Sequence, residues 1–377
     1  MTHPPDRRSA AGLEPAESAD PYPADPYPYP AYPADPAVQP DPPGLDLAAL
    51  GAWLGRAAPG LLTPPLGAQV VAGGKSNLTY VVGDGTRSVI VRRPPLGHVL
   101  ATAHDMVREH RVMAALHETA VPVPEMYAVC ADETLIGAPF YVMQLVVGVP
   151  YRSAEELDSL GAERTRRIGE RMVDALADLH EVAPTSVGLG DFGRPEGFLE
   201  RQVRRWARQL EGSRTRDLKG ADELIALLGE RLPRQSAPSI IHGDYRLDNL
   251  LMSPGDEIAA VVDWEMATLG DPLTDVALLL TYHRIAELGV GQGVSTASRA
   301  PGFVTRDDVV ARYGARSDRD LTHLEFYEAL ACLKLAVILE GIHYRHAHGQ
   351  TVGAGFGQIG AMVEPLLALG LDSMEEH

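Results

Sequence analysis

A chain of 377 residues with 45% hydrophobic side chains can bury one large core or two lobes. A net charge of −18 argues against sequence-independent nucleic-acid binding, because a phosphate backbone would be repelled. Two distant cysteines, Cys130 and Cys332, give neither a disulfide framework nor a zinc pattern, and they fit a reducing cytoplasm.

The opening MTHPPDRRSAAG has no apolar stretch of the kind a secretory signal needs, and the longest apolar runs (VALLLTY from Val276, LKLAVIL from Leu333) are too short to cross a bilayer. From Pro21 to Pro43 the chain is rich in proline and tyrosine and nearly free of aliphatic residues. Such a segment buries too little apolar surface to offset its ordering entropy, so residues 1–44 are expected to be a disordered tail with polyproline II character. A protein partner with an aromatic groove is conceivable for it, and a solvated tail is the simpler expectation.

Leu45 to Leu62 reads as a short helix with Trp53 on its apolar side. GAQVVAGG, SNLTYVVGDG and TRSVIVRRPP follow as β-rich runs, with Gly83-Asp84-Gly85 as a hairpin signal. His104 to Glu118 is helical in pattern, with Met106, His110, Met113 and Leu116 at helical spacing, and MYAVCAD and APFYVMQLVVG are two further strands. The order predicts a small antiparallel sheet carrying one helix, over residues 45–147. After Gly148 the character turns helical: Glu163 to Glu181, Phe198 to Leu210 and Asp222 to Leu232 are amphipathic. SIIHGD and EIAAVVDWE read as a strand pair joined through DNLLM and a Ser253-Pro254-Gly255-Asp256 turn, and the remainder of 148–377 is helical. The prediction is an α+β protein of two lobes, β-rich and helical.

The strongest chemical signal is His242-Gly243-Asp244-Tyr245-Arg246-Leu247-Asp248-Asn249, followed fourteen residues later by Asp263 in Val262-Asp263-Trp264-Glu265. Phosphoryl transfer from ATP to a hydroxyl requires a carboxylate to orient the hydroxyl and accept its proton, plus oxygen ligands for magnesium. Magnesium takes one or two carboxylates supplemented by carbonyl oxygens, waters and phosphates. Asp244 as base, with Asn249 and Asp263 as metal ligands, supplies those parts.

These segments resemble the aminoglycoside phosphotransferase/choline kinase superfamily, which has the protein-kinase-like bilobal fold. Its catalytic loop has the form H-G-D-x-x-x-x-N, followed by a magnesium-binding Asp in an I-D-W-E-like strand. GGKSNLTYVV, VIVRRPP, VREHRVMAAL, FYVMQLVVG, HGDYRLDNLL and VVDWEMATLGDPLTDVA are similar, more narrowly, to the N-terminal kinase-like domain of acyl-CoA dehydrogenase family members 10 and 11. The resemblance spans about Val70 to Arg345. It implies that Gly73, Gly74, Lys75, Ser76 and Asn77 form the phosphate-covering loop, whose glycines let backbone amides approach phosphates. It implies that Arg92 takes the place of the usual strand lysine on the α/β-phosphates, with Lys75 the other candidate, and that Glu109 pairs with Arg92. Met143, Gln144 and Leu145 would meet the adenine.

Asp191-Phe192-Gly193 spells a metal motif but precedes the catalytic loop and reads as a turn. His343, His346 and His348 suit a helix C-terminus better than a metal site. His242 reads as a structural hydrogen-bonding residue, and Asp271 and Asp275 as helix-capping ones. The helix FLERQVRRWARQL reads as a core stripe with a solvated arginine face. The resulting expectation is an ATP- and magnesium-dependent phosphotransferase acting on a hydroxyl of a small molecule, for which the narrower resemblance allows a hydroxyacyl or CoA-linked acceptor. The alternatives are an antibiotic kinase of the aminoglycoside type and a catalytically weak nucleotide-binding module.

Overall fold

The computed structural model describes residues 41–71, 77–96, 104–288, 295–349 and 356–375; residues 1–40 of the tail and Gly73 to Ser76 of the glycine loop lie outside them. Helix α1 (Leu47–Ala57) starts where the Asp46 side chain accepts from the Ala49 amide (2.8 Å) and buries Leu47, Leu50 and Leu54. Five strands follow: β1 (Gly67–Val70), β2 (Leu78–Gly83), β3 (Ser88–Arg93), β4 (Met126–Cys130) and β5 (Phe140–Gln144). They form one antiparallel sheet in the order β1-β2-β3-β5-β4.

Alternation along β3 sorts its residues. Val89 and Val91 join α1 in one core, whereas Ile90 joins the other, larger core with helix α2 (Met106–Leu116). The same period separates the two arginines. Arg93 is buried and donates to the carbonyls of Ile136 (2.9 Å) and Gly44, whereas Arg92 lies on the α2 side. Residues 41–44 run against this lobe, where the Tyr80 hydroxyl donates to the Pro43 carbonyl (2.6 Å).

The second lobe is helical: α3 (Ala154–Asp158), α4 (Ala162–Glu181), α5 (Phe198–Ser213), α6 (Ala221–Glu230), α7 (Leu273–Leu288), α8 (Arg306–Gly314), α9 (Leu324–Ala347) and α10 (Val363–Glu375). The fold is therefore a bilobal α+β one. No described helix is long and apolar enough to cross a membrane.

Two short strand pairs correct the sequence expectation. Ser239–Ile241 (β6) does not pair with EIAAVV; its partner is Thr268–Gly270 (β9). Leu250–Met252 (β7) is itself a strand and pairs with Ile258–Val261 (β8) across the Ser253–Asp256 turn. The reason is local: Leu247–Asn249 curl into one 3-10 turn that delivers β7 opposite β8, and Asp263, at φ 68°, ends β8 and turns the chain towards β9.

The link between lobes is tied to β7. Val149 and Met252 exchange both backbone hydrogen bonds (2.9 and 3.1 Å), and at Gly148 a Cβ would lie 2.7 Å from the Leu251 Cβ and 3.0 Å from its carbonyl carbon. Gly148→Ala should therefore force the connector away from β7 and destabilise the fold by about 1–3 kcal/mol, read as a lower urea midpoint. An unchanged midpoint would refute the tight approach.

Candidate active site

Loop 242–249 is held from several sides. The Asp275 carboxylate on α7 accepts from the His242 amide (2.6 Å) and the Gly243 amide (2.9 Å). Burial alone would raise the Asp275 carboxyl, but His180 and the loop donors hold it below its ordinary value. The Gly243 carbonyl accepts from Lys334 on α9. Gly243 has φ 83°, and a Cβ there would lie 2.7 Å from the Met266 carbonyl oxygen, so only glycine fits. His242 Nδ1 accepts from the Asp244 amide (3.2 Å) and Nε2 donates to the Val262 carbonyl (3.0 Å). With both ring nitrogens engaged, His242 is part of the scaffold rather than a free base.

These bonds fix Asp244. The Tyr282 hydroxyl donates to its Oδ1 (3.1 Å), and Asn249 Nδ2 donates to its carbonyl oxygen (2.9 Å) and its Oδ2 (3.2 Å). Arg246 Nε lies 3.7 Å from the same carboxylate. Asn249 uses its amide nitrogen on Asp244, which leaves its oxygen as a donor for a cation. The Val262 amide donates to the Asn249 backbone carbonyl (2.9 Å), which sets Asp263 at the neighbouring strand end. An amide oxygen and a carboxylate are hard ligands of the kind magnesium takes, and they fit a metal that keeps most of its other ligands as water and phosphate. Among the described residues no group of three or more His, Cys, Asp or Glu could hold a metal, the C-terminal histidines included.

The β-rich lobe contributes cations and anions to the same place. Arg92 Nη2 lies 2.5 Å from Asp263 Oδ1 and 3.6 Å from Glu109 Oε1. Burial works against the Arg92 charge, but Tyr141, Glu109 and Asp263 together raise its pKa. Glu109 is buried, not solvent-facing, and burial pushes its carboxyl up to about 7 against the pull of Arg92. Asn77, the described end of the glycine loop, is buried and donates to Glu265 Oε2 (3.1 Å), while its own side-chain oxygen has no partner among the described residues. Gly73, Gly74, Lys75 and Ser76 lie outside the described residues. Met143 is buried within β5, pairing with Ile90 and Met126, and Gln144 ends that strand with its amide on the Glu125 carbonyl (2.8 Å). Leu145 begins the connector, half-buried.

An open cleft of about 1540 Å³ runs from Glu109 and Glu265 along α5. Leu199, Val203, Trp206 and Leu210 form the buried stripe of α5, and its arginines Arg201, Arg204, Arg205 and Arg208 are exposed, as expected. Arg108, Arg194, Arg201, Arg204, Arg205 and Arg208 line the cleft. Of these six, among the described residues, only Arg204 has a carboxylate within salt-bridge distance (Glu200, 2.8 Å). Asp191 lies in an exposed turn and pairs with Arg111.

Sequence reasoning missed Tyr282, Lys334 and Glu265, and gave Asp275 only a capping role. Tyr282 had a signal: it follows Asp275 by seven residues, two helical turns along α7, so both share the face toward the loop. Lys334 had only its presence as a cation inside an apolar helical run.

Residues 67–307 match the model of the phosphotransferase enzyme family. Mouse acyl-CoA dehydrogenase family member 10 is 33% identical over 303 residues, 79% of this chain and 28% of that protein. The chain spans less than half the length of the curated relatives it matches, 28% and 43% for two of them. The crystal structure of a provisionally assigned aminoglycoside phosphotransferase from Ralstonia eutropha JMP134 is 32% identical, with a TM-score of 0.77 over 88% of this chain and 98% of that one. A thermostable mutant of aminoglycoside phosphotransferase APH(4)-Ia, in ternary complex with AMP-PNP and hygromycin B, shares the fold at 13% identity (TM-score 0.57; 86% and 98% covered). The family match and these relatives agree with the loop and strand-end geometry: the chain belongs to the phosphotransferase enzyme family, in a branch shared with part of acyl-CoA dehydrogenase family members 10 and 11.

Proposed function

We propose that the protein transfers the γ-phosphoryl group of ATP to a hydroxyl of a small molecule. The observation that carries this reading is the setting of Asp244, whose carboxylate is aimed by Tyr282 and Asn249 on a loop with little freedom. In the proposed step the acceptor hydroxyl gives its proton to Asp244 as its oxygen bonds to the γ-phosphorus, and the bond to the ADP oxygen breaks. Magnesium, held by Asn249 and Asp263 when bound, would supply positive charge against the phosphate oxygens. Arg92 then exchanges its contact with Asp263 for the phosphates and Glu109, the carboxylate beside it. Asn77 and the glycine loop would cover the phosphates, with the backbone at Met143 to Leu145 against the adenine. The AMP-PNP held by the APH(4)-Ia neighbour supports a nucleotide in this role.

The arginines of the cleft favour an anionic acceptor. An aminoglycoside is a polycation and would meet like charge there, which counts against an antibiotic substrate. A hydroxyacyl compound, free or linked to CoA, fits better: phosphates of a CoA handle would find the planar forks of Arg205 and Arg208. The kinship with acyl-CoA dehydrogenase family members supports the same class.

Two measurements test this. Over a panel of hydroxyl compounds, ATP-dependent ADP release should fall about 10²–10⁴-fold in Asp244→Ala, with nucleotide binding retained. Tight binding without Asp244-dependent turnover on any acceptor would reduce the protein to a nucleotide-binding module. Asp263→Asn should weaken nucleotide binding in the presence of magnesium and leave the metal-free affinity nearly as it was; if calorimetry showed the same magnesium dependence in both proteins, the metal assignment would fail.

A further inference from the structure

At the start of α5 and along it, the cleft presents Arg194, Arg201, Arg205 and Arg208 to solvent. Arg201 spends its fork on the carbonyls of Arg194 and Glu196. Among the described residues, the side chains of Arg194, Arg205 and Arg208 have neither a carboxylate within salt-bridge distance nor a hydrogen-bond acceptor. The carboxylates that share the cleft are already engaged: Asp105 accepts from the Arg108 amide (2.9 Å), Glu109 lies 3.6 Å from Arg92, and Glu265 accepts from Asn77 (3.1 Å).

The chain holds a matching set of anions elsewhere. Outside the described residues, the only carboxylate side chains are Glu376 and those of the N-terminal tail. From Ser9 to Pro40 the tail carries Glu14, Glu17, Asp20, Asp25 and Asp35 and no Lys, Arg or His. Tyr22, Tyr27, Tyr29 and Tyr32 are interleaved with these acids, and Asp-Pro-Tyr-Pro starts at Asp20 and again at Asp25. Carboxylates suit guanidinium forks and tyrosine faces suit guanidinium planes, so this composition fits an arginine wall better than an apolar groove. A proline-rich backbone also loses little entropy on being held extended.

The tail can reach. A Cβ on Gly44 would lie 2.6 Å from Leu96 Cδ2. Leu96 precedes His104 on the cleft wall by eight residues, at most about 29 Å of chain. Asp25 precedes Gly44 by nineteen residues, about 59 Å in polyproline II form. The step from Arg201 to Arg208 is about 10 Å of helix, less than the about 16 Å that separates Asp20 from Asp25 in that form.

We propose that the acidic tail, residues 14–35, docks along the arginine face of α5 and occupies the cleft. Each contact is weak, since an exposed ion pair contributes little on its own. The tether compensates by holding the tail near the cleft at an effective concentration on the order of 1 mM. The docking is independent of the reaction. Its consequence rests on the phosphotransferase reading, in which the tail and an anionic acceptor draw on the same guanidinium forks. The tail is then a built-in competitor that the acceptor displaces.

A nitroxide on Ala24→Cys of the full chain tests this, because Cys130 and Cys332 are buried and the new thiol takes the label. For an affinity no weaker than the tether's effective concentration, about half or more of the labels should give a slowed spectrum. With Glu14, Glu17, Asp20, Asp25 and Asp35 replaced by Gln or Asn, or with Arg205→Glu and Arg208→Glu, that fraction should fall below about a tenth. Changing the five acids to Lys in the Arg205→Glu, Arg208→Glu protein should restore it, which separates charge pairing from damage to the fold. Sodium chloride at about 0.5 M should release the wild-type tail. A label as mobile in the wild type as in the neutralised tail overturns the proposal, and so does slowing that survives both arginine changes. Slowing that disappears on dilution would place the tail on a second copy and overturns it as well. Mobility is read without ATP or acceptor, so failed phosphoryl transfer bears on the reaction and not on the docking. Neutralising the tail should also lower the KM of an anionic acceptor about twofold or more; an unchanged KM would overturn the competition.

Discussion

Two hydrogen bonds to one buried carboxylate organise the loop 242–249. Asp275 receives the amides of His242 and Gly243, and the His180 ring behind it is held in turn by the Tyr313 hydroxyl (2.8 Å). Without that carboxylate two amides in a closed part of the fold would lose their acceptor, an arrangement far less favourable than the modest net gain of an ordinary hydrogen bond implies. From this anchor the rest follows. Gly243 is free to adopt its left-handed turn, His242 bridges to the strand before Asp263, and α7 delivers Tyr282 to Asp244 two turns beyond Asp275. One helix therefore holds the backbone of the loop and aims its carboxylate.

How much of this is legible in the sequence depends on how local each interaction is. The loop and the D-W-E turn are legible because their residues lie within a few positions of one another and their spacing is the chemistry. The two arginines of β3 are separable in principle, since the strand period assigns Arg92 to the α2 side with Ile90. The pairing of three-residue strands is not legible: β6 has too few residues for any pattern to select β9 over β8. Glu109 is reached only through the resemblance, which pairs it with Arg92; its burial is not legible, because a carboxylate on a helix is ordinarily solvated and the packing of α2 against the sheet buries it. Tyr282 and Lys334 sit in runs whose apolar neighbours dominate the signal, and their partners are 38 and 91 residues away.

The charge of the chain illustrates the gap between composition and surface. A net −18 describes the whole, yet the walls of the cleft along α5 carry arginines with few carboxylates to match them. Acidic groups are placed elsewhere, and several are already satisfied there. Asp256 takes Arg164 and Arg167, Asp308 takes Arg166, and Asp174 takes Arg312. A cleft focuses the field of its own lining, so a ligand entering it meets the local charge rather than the total.

The bridge between Val149 and Met252 gives the connector a mechanical character. A free linker would let the β-rich lobe rock without disturbing the helical one. Here the linker is stitched to the strand that directly follows Asn249, and through the β7–β8 pairing to the strand that leads into Asp263. Any rotation of the β-rich lobe would therefore be geared to the pair of oxygens below it: a lever that opened the space between the lobes would pull on the floor of the candidate site.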